Sequence, residues 1–139
     1  MIATLAQPVF PSVSIVIAVV LGTCVIPLWT FAPSAALLAV GGFCMQFMVQ
    51  GAWGVVPAHL NELSPPAVRG TFPGFTYQMG NLISAGAAQW QAILAARFPA
   101  AGGGADYARV LAIVALIVFA SVGVLAAVGP EAKEREFAA

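Results

Sequence analysis

The side chains that could do chemistry in this chain are mostly uncharged. Gln46, Gln50, Trp53 and Pro57 fall at i, i+4, i+7 and i+11, one stripe of a helix. Tyr77, Asn81, Ser84, Ala88 and Gln91 fall at i, i+4, i+7, i+11 and i+14, a second stripe, and Gln78 adjoins it. Amide, indole and phenol groups so arranged can hydrogen-bond a carboxylate or a sugar acid. None of them carries positive charge, so an anion's main countercharge would have to come from elsewhere. Glu62 and Arg69 flank a pair of prolines and could form an ion pair. His59 is the only histidine. Its near-neutral titration makes it a possible proton relay, and a place beside the headgroups would make it a solvated or capping residue instead. Cys24 and Cys44 read as small apolar fillers. No Cys-x-x-Cys, histidine cluster or carboxylate pair offers a metal site. No nucleophile–base–acid set is present and "GGG" leads into no phosphate-loop lysine. The expectation is therefore no catalytic residue, no metal, no cofactor and no enzyme.

Positioning such groups is the task of the remaining chain, and its composition says in what solvent. Of 139 residues, 61% are hydrophobic and 7% are charged, with a net charge of zero. A soluble domain carries about 25% charged residues. Too little polar surface exists here to cover a protein in water, and disorder needs the opposite composition. A sequence pI near 6.5 leaves no electrostatic footprint for nucleic acid. No charged residue precedes Glu62, and those that follow sit near plausible helix ends. A charge at mid-bilayer costs roughly 2.5–3.5 kcal/mol, so this is the pattern of a chain that threads lipid.

The fold class expected is all-α: a polytopic membrane protein with four transmembrane helices. A bilayer core of about 30 Å takes about 20 apolar residues. The spans read as 13–31, 34–59, 71–96 and 110–128, making residues 1–129 a membrane region and 130–139 a tail. Pro27 should kink the first span. Pro65-Pro66 and Gly102 to Gly104 mark loops, Asp106 is an N-cap for the last span, and Gly129-Pro130 stops it. "MIATLAQPVF" is either the start of a longer first span or a signal peptide lacking its basic region. Four spans put Arg69, Lys133 and Arg135 on one side and Arg97 and Arg109 on the other, a small bias toward a cytoplasmic tail.

The spans differ in kind. The first and fourth are almost bare of hydrogen-bonding side chains, whereas the second and third hold the stripes above. Amides facing lipid would be unsatisfied, so they either bond between helices or face a watery interior. Two helices are thus expected at the periphery and two lining something. Gly41, Gly42, Gly51, Gly54, Gly74, Gly80 and Gly86 fit close backbone approach, and Gly70 and Gly74 make a small-xxx-small pair.

The loop "HLNELSPPAVRGTFPG" contains Glu62, Pro65, Arg69 and Gly70 as E-x-x-P-x-x-x-R-G. This resembles the motif between the fourth and fifth helices, and the tenth and eleventh, of the major facilitator superfamily. The tail "GPEAKEREF" looks like the "PETKG" segment after that family's twelfth helix, although Glu134 replaces the glycine. The wider stretch "MQFMVQGAWGVVPAHLNELSPPAVRG" is similar to the sialate and monocarboxylate proton symporters.

The resemblance covers 13–137 and implies helices nine to twelve of a partial major facilitator fold. It implies that Gln46, Gln50, Trp53, Tyr77, Gln78 and Asn81 line a cavity, that Glu62, Pro65, Arg69 and Gly70 help close an inner gate, and that the tail is cytoplasmic. It also implies eight missing N-terminal helices, so the chain reads as a truncated gene, an incomplete reading frame or a cut piece. The partners implied are the bilayer, those helices, and a small organic anion and a proton carried by the complete transporter. A bacterial inner membrane is the expected location. Two alternatives stand beside this reading: a sugar or aromatic-acid transporter of the same superfamily, and a small four-helix membrane protein that acts by binding a partner.

Overall fold

The computed structural model describes residues 11–100 and 102–129. Among these, helices α1 (Pro11–Thr30), α2 (Ala35–Trp53), α3 (Val56–Leu63), α4 (Phe72–Ser84), α5 (Ala87–Arg97) and α6 (Tyr107–Val128) follow in order, with a 3-10 turn at Pro66–Val68. No β-strand is formed among the described residues; one isolated bridge joins Pro99 and Ala105. The first ten residues and the tail from 130 onward lie outside the described residues, and with them the reading of "MIATLAQPVF" and the tail motif.

Three stretches are long and apolar enough to cross a membrane: Ser12–Thr30, Ala35–Leu63 and Tyr107–Val128. Only 17%, 11% and 11% of their most apolar windows are buried within the structure. The apolar faces therefore point outward: Val20 is 56% exposed, Phe43 71% and Leu125 72%. A water-soluble fold hides such side chains, and leaving them out costs about 1.5–3 kcal/mol each. Lipid removes that cost. The architecture fits a polytopic membrane protein.

α1 sits at the middle of the packing, between α2 and α6. Ile26, Met45 and Ala112, one from each of these helices, form the buried core, with Val25, Trp29, Ala115 and Phe119 against it. Two glycines allow the close approach. A Cβ on Gly41 would lie 2.7 Å from the Leu28 carbonyl oxygen and 2.8 Å from the Trp29 Cα. A Cβ on Gly22 would lie 2.7 Å from the Phe119 ring. Without a hydrophobic force between spans in lipid, this tight van der Waals contact is what holds helices together. Of the glycines singled out for approach, Gly41 fills the role. Gly51, Gly70, Gly74 and Gly80 have open space where a Cβ would stand.

The helix boundaries follow local chemistry. Ser34 caps α2, its Oγ accepting from the Leu37 N–H at 3.3 Å. Asp106 caps α6, accepting from the Arg109 N–H at 2.9 Å, and Gly129 ends that helix as expected. α1 continues through Pro27 to Thr30.

Two expected spans are interrupted. The second, 34–59, is broken at Gly54–Val55 and extends to Leu63 as α3. Pro57 has no N–H to give the Trp53 carbonyl four residues back. The third, 71–96, is two helices, with a break at Ala85–Gly86. Ser84 Oγ donates to the carbonyls of Gly80 (3.0 Å) and Asn81 (3.2 Å). Gly86 begins the next helix as its N-cap. The 13-residue α4 and 11-residue α5 are each too short to span alone.

Candidate functional site

The two polar stripes run along α2 with Pro57 in α3, and along α4 with Ala88 and Gln91 in α5, so a helix break cuts each of them. Gln46 and Gln50 project from α2, and Tyr77, Gln78 and Asn81 from α4. All five are exposed, and so is Trp53 at the last turn of α2. The structure brings two of them together across helices: the Trp53 and Tyr77 rings meet edge to face, centroids 5.5 Å apart. Such pairs are worth about 0.5–1.5 kcal/mol beyond the area they cover. Asn81 Nδ2 donates to Gln78 Oε1 at 3.3 Å on its own helix. Gln46 and Gln50 bond no other helix among the described residues. Among the described residues the amides therefore do not act as glue between helices, and the surface they form is exposed.

Where each helix breaks bears on this surface. Trp53 is the residue before the Gly54–Val55 turn, and Asn81 lies one turn before the Ala85–Gly86 break. At both places the backbone stays in the right-handed helical region and the ladder tightens locally: the Val55 N–H donates to the Ala52 carbonyl and the Ala85 N–H to that of Leu82.

The loop residues stand at the other side of the first break. His59 and Glu62 are on α3, both half-buried. His59 Nδ1 is buried and finds no hydrogen-bond partner among the described residues. Pro65 precedes the 3-10 turn, the half-buried Arg69 ends it, and Gly70 is exposed beyond it. Ser64 locks the corner: fully buried, its Oγ donates to the Leu60 carbonyl at 2.5 Å. α3 packs against α4, so this corner joins the two interrupted helices.

Sequence reasoning had no means to find the Trp53–Tyr77 contact, which depends on how α2 and α4 meet. The stripes named both residues but could not pair them. Ser64 was missed as well; its signal was a serine placed directly before two prolines.

Among the described residues, no group of three or more His, Cys, Asp or Glu side chains could hold a metal ion. Cys24 and Cys44 are both free.

Over 129 residues, covering 88% of this chain, the sequence is 37% identical to a protein of Saccharomyces cerevisiae named carboxylic acid transporter protein homolog. The chain spans 21% of that protein's length. No family model matches the chain, and no solved structure matches it. The similarity supports a transporter, and with the apolar helices it supports an integral membrane protein.

Proposed function

We propose that this chain forms one wall of a proton-coupled secondary transporter of the major facilitator superfamily that moves small organic anions of the monocarboxylate or sialic acid type. The observation that carries the reading is the 37% identity to a protein named for carboxylic acid transport. The one-wall reading rests on that match covering a fifth of the relative's length. The rest of the machine, including a second wall and a positive countercharge for the anion, lies outside these residues.

Two physical features support it. The exposed amides on α2 and α4 need water or a polar ligand in a protein whose other faces suit lipid. Both helices that carry them are interrupted, and discontinuous helices near mid-membrane are where transporters of this kind build substrate sites. Phe72 to Arg97, at 1.5 Å rise per residue, would reach about 39 Å, so α4 and α5 together can make the fourth crossing. A fourth crossing would leave the Arg69 loop and the tail on one side of a bacterial inner membrane, and the small excess of Arg and Lys there favours the cytoplasm.

In this reading Gln46, Gln50, Gln78 and Asn81 hydrogen-bond the substrate's oxygens, while Trp53 and Tyr77 pack its apolar part. Glu62, Pro65, Arg69 and Gly70 bias the cytoplasmic gate by making different contacts in its open and closed states. His59, with one ring nitrogen buried and unpaired, is the group on this wall suited to relay a proton.

The test is uptake of radiolabelled lactate by cells expressing the longer protein. Arg69→Ala should lower uptake with membrane insertion intact; a wild-type rate contradicts the gate. The 139-residue chain in proteoliposomes should catalyse no saturable, proton-dependent uptake, and such uptake would contradict the one-wall reading.

A further inference from the structure

The corner between α5 and α6, at the far end of those helices from the Gly86 break, holds two cations that the transport reading does not use. Arg97 closes the last turn of α5 and is exposed. Arg109 lies in the first turn of α6, also exposed, its guanidinium 5.0 Å from the centre of the Phe98 ring. The two helices are pinned here, since the Asp106 N–H donates to both the Ala95 (3.2 Å) and Phe98 (2.9 Å) carbonyls. Neither guanidinium has a hydrogen bond or ion pair among the described residues. The one acid at the corner, Asp106, accepts from the backbone of Arg109, not from its side chain.

Arg109 is in the wrong place for helix stability. The N-terminus of a helix carries partial positive charge, so a cation in the first turn is unfavourable. Arg97, at a C-terminus, is favoured there, and so only Arg109 calls for an outside anion. Stacking on Phe98 holds its planar fork in place while its N–H groups stay open.

Depth says which anion. α6 has 22 residues from Tyr107 to Val128, about 33 Å, slightly more than a bilayer's apolar core. Its first turn therefore lies at the level of the lipid phosphates. Tyr107, beside Arg109 in the first turn of α6, is 54% exposed, an amphipathic aromatic of the kind that settles at that level. Exposed Ile93 and Leu94 on α5 offer the acyl chain an apolar path beside the two cations.

We infer that Arg97 and Arg109, with Phe98 between them, bind the phosphodiester headgroup of an anionic phospholipid at the α5–α6 corner. The two forks bracket the phosphate and the lipid tail runs along α5. The site is independent of the transport reading and would serve equally in a membrane protein that transports nothing.

The test is native mass spectrometry of the 139-residue chain in neutral detergent, titrated with phosphatidylglycerol and with phosphatidylcholine. Phosphatidylglycerol should be retained more tightly, and the Arg97→Gln/Arg109→Gln variant should weaken its binding by on the order of tenfold. Unchanged binding would overturn the proposal. Millimolar inorganic phosphate or lactate should fail to displace the lipid; displacement by either would reassign the corner to a soluble anion and overturn it too. If circular dichroism shows the double variant unfolded, Arg97→Gln alone carries the test, since that side chain is exposed and bonds nothing. It should weaken phosphatidylglycerol by about fivefold, and equal binding would contradict the inference.

Discussion

α1 and α6 are unbroken rods of valine, isoleucine, leucine and alanine, and they pack on each other. α2–α3 and α4–α5 run through similar lengths of chain yet are broken, and they carry the exposed amides. The first pair meets most needs of a helix in oil: internal backbone bonds and apolar side chains. Several of its hydroxyls return to the helix's own backbone, as when Thr23 Oγ1 donates to the Val19 carbonyl at 2.8 Å and Ser121 Oγ to that of Ile117 at 2.7 Å, while Ser12 Oγ is buried without a partner among the described residues. The second pair carries exposed amides that bond no other helix among the described residues. A membrane protein keeps such groups where water, protein or a ligand reaches them. The difference separates spans suited to lipid from spans that need a polar neighbour.

The largest expected effect breaks the support. Gly41→Val would drive a side chain into the Leu28 backbone, where nothing can move aside, and should destabilise the chain by about 3 kcal/mol or more. Gly51→Ala, with open space at its Cβ, should be neutral within about 0.5 kcal/mol. Unfolding in mixed detergent micelles measures both. A similar cost for the two would mean that α1 and α2 do not pack as described.

A charge scan sharpens the contrast. Val118→Lys in α6 should cost roughly 2.5–3.5 kcal/mol in a membrane-insertion assay, the full cost of a cation at a lipid-facing mid-span site. If Gln50 faces a watery interior, as proposed, Gln50→Lys should cost less than half of that. Equal costs would place Gln50 against lipid.

The smallest effect concerns the end of the apolar rod. Asp106→Ala removes the cap on the Arg109 N–H and should cost about 1 kcal/mol, read in the same unfolding assay.

Much of this was legible in the residues. The scarcity of charge before Glu62 revealed the solvent, Asp106 and Gly129 fixed the ends of the last helix, and the periods of 46–57 and 77–91 placed the polar stripes on helices. The break at Gly86 was not legible, because no proline marks it. Nor was the central place of α1. A span bare of polar groups suggested the periphery, but within this chain Gly41 and Gly22 let α2 and α6 close on α1 from two sides. Small residues permit contact without naming the partner. The Trp53–Tyr77 contact was hidden for the related reason that periodicity describes one helix at a time.

The central claim is that the α2 and α4 amides meet water inside the membrane while α6 meets lipid. Its most direct test is labelling by a membrane-impermeant thiol reagent of single-cysteine variants, built on Cys24→Ser/Cys44→Ser in the longer protein. Gln50→Cys and Asn81→Cys should react rapidly and be protected by a carboxylate substrate, with Val118→Cys inert. Gln50→Cys and Asn81→Cys as unreactive as Val118→Cys in every transport state would contradict the account.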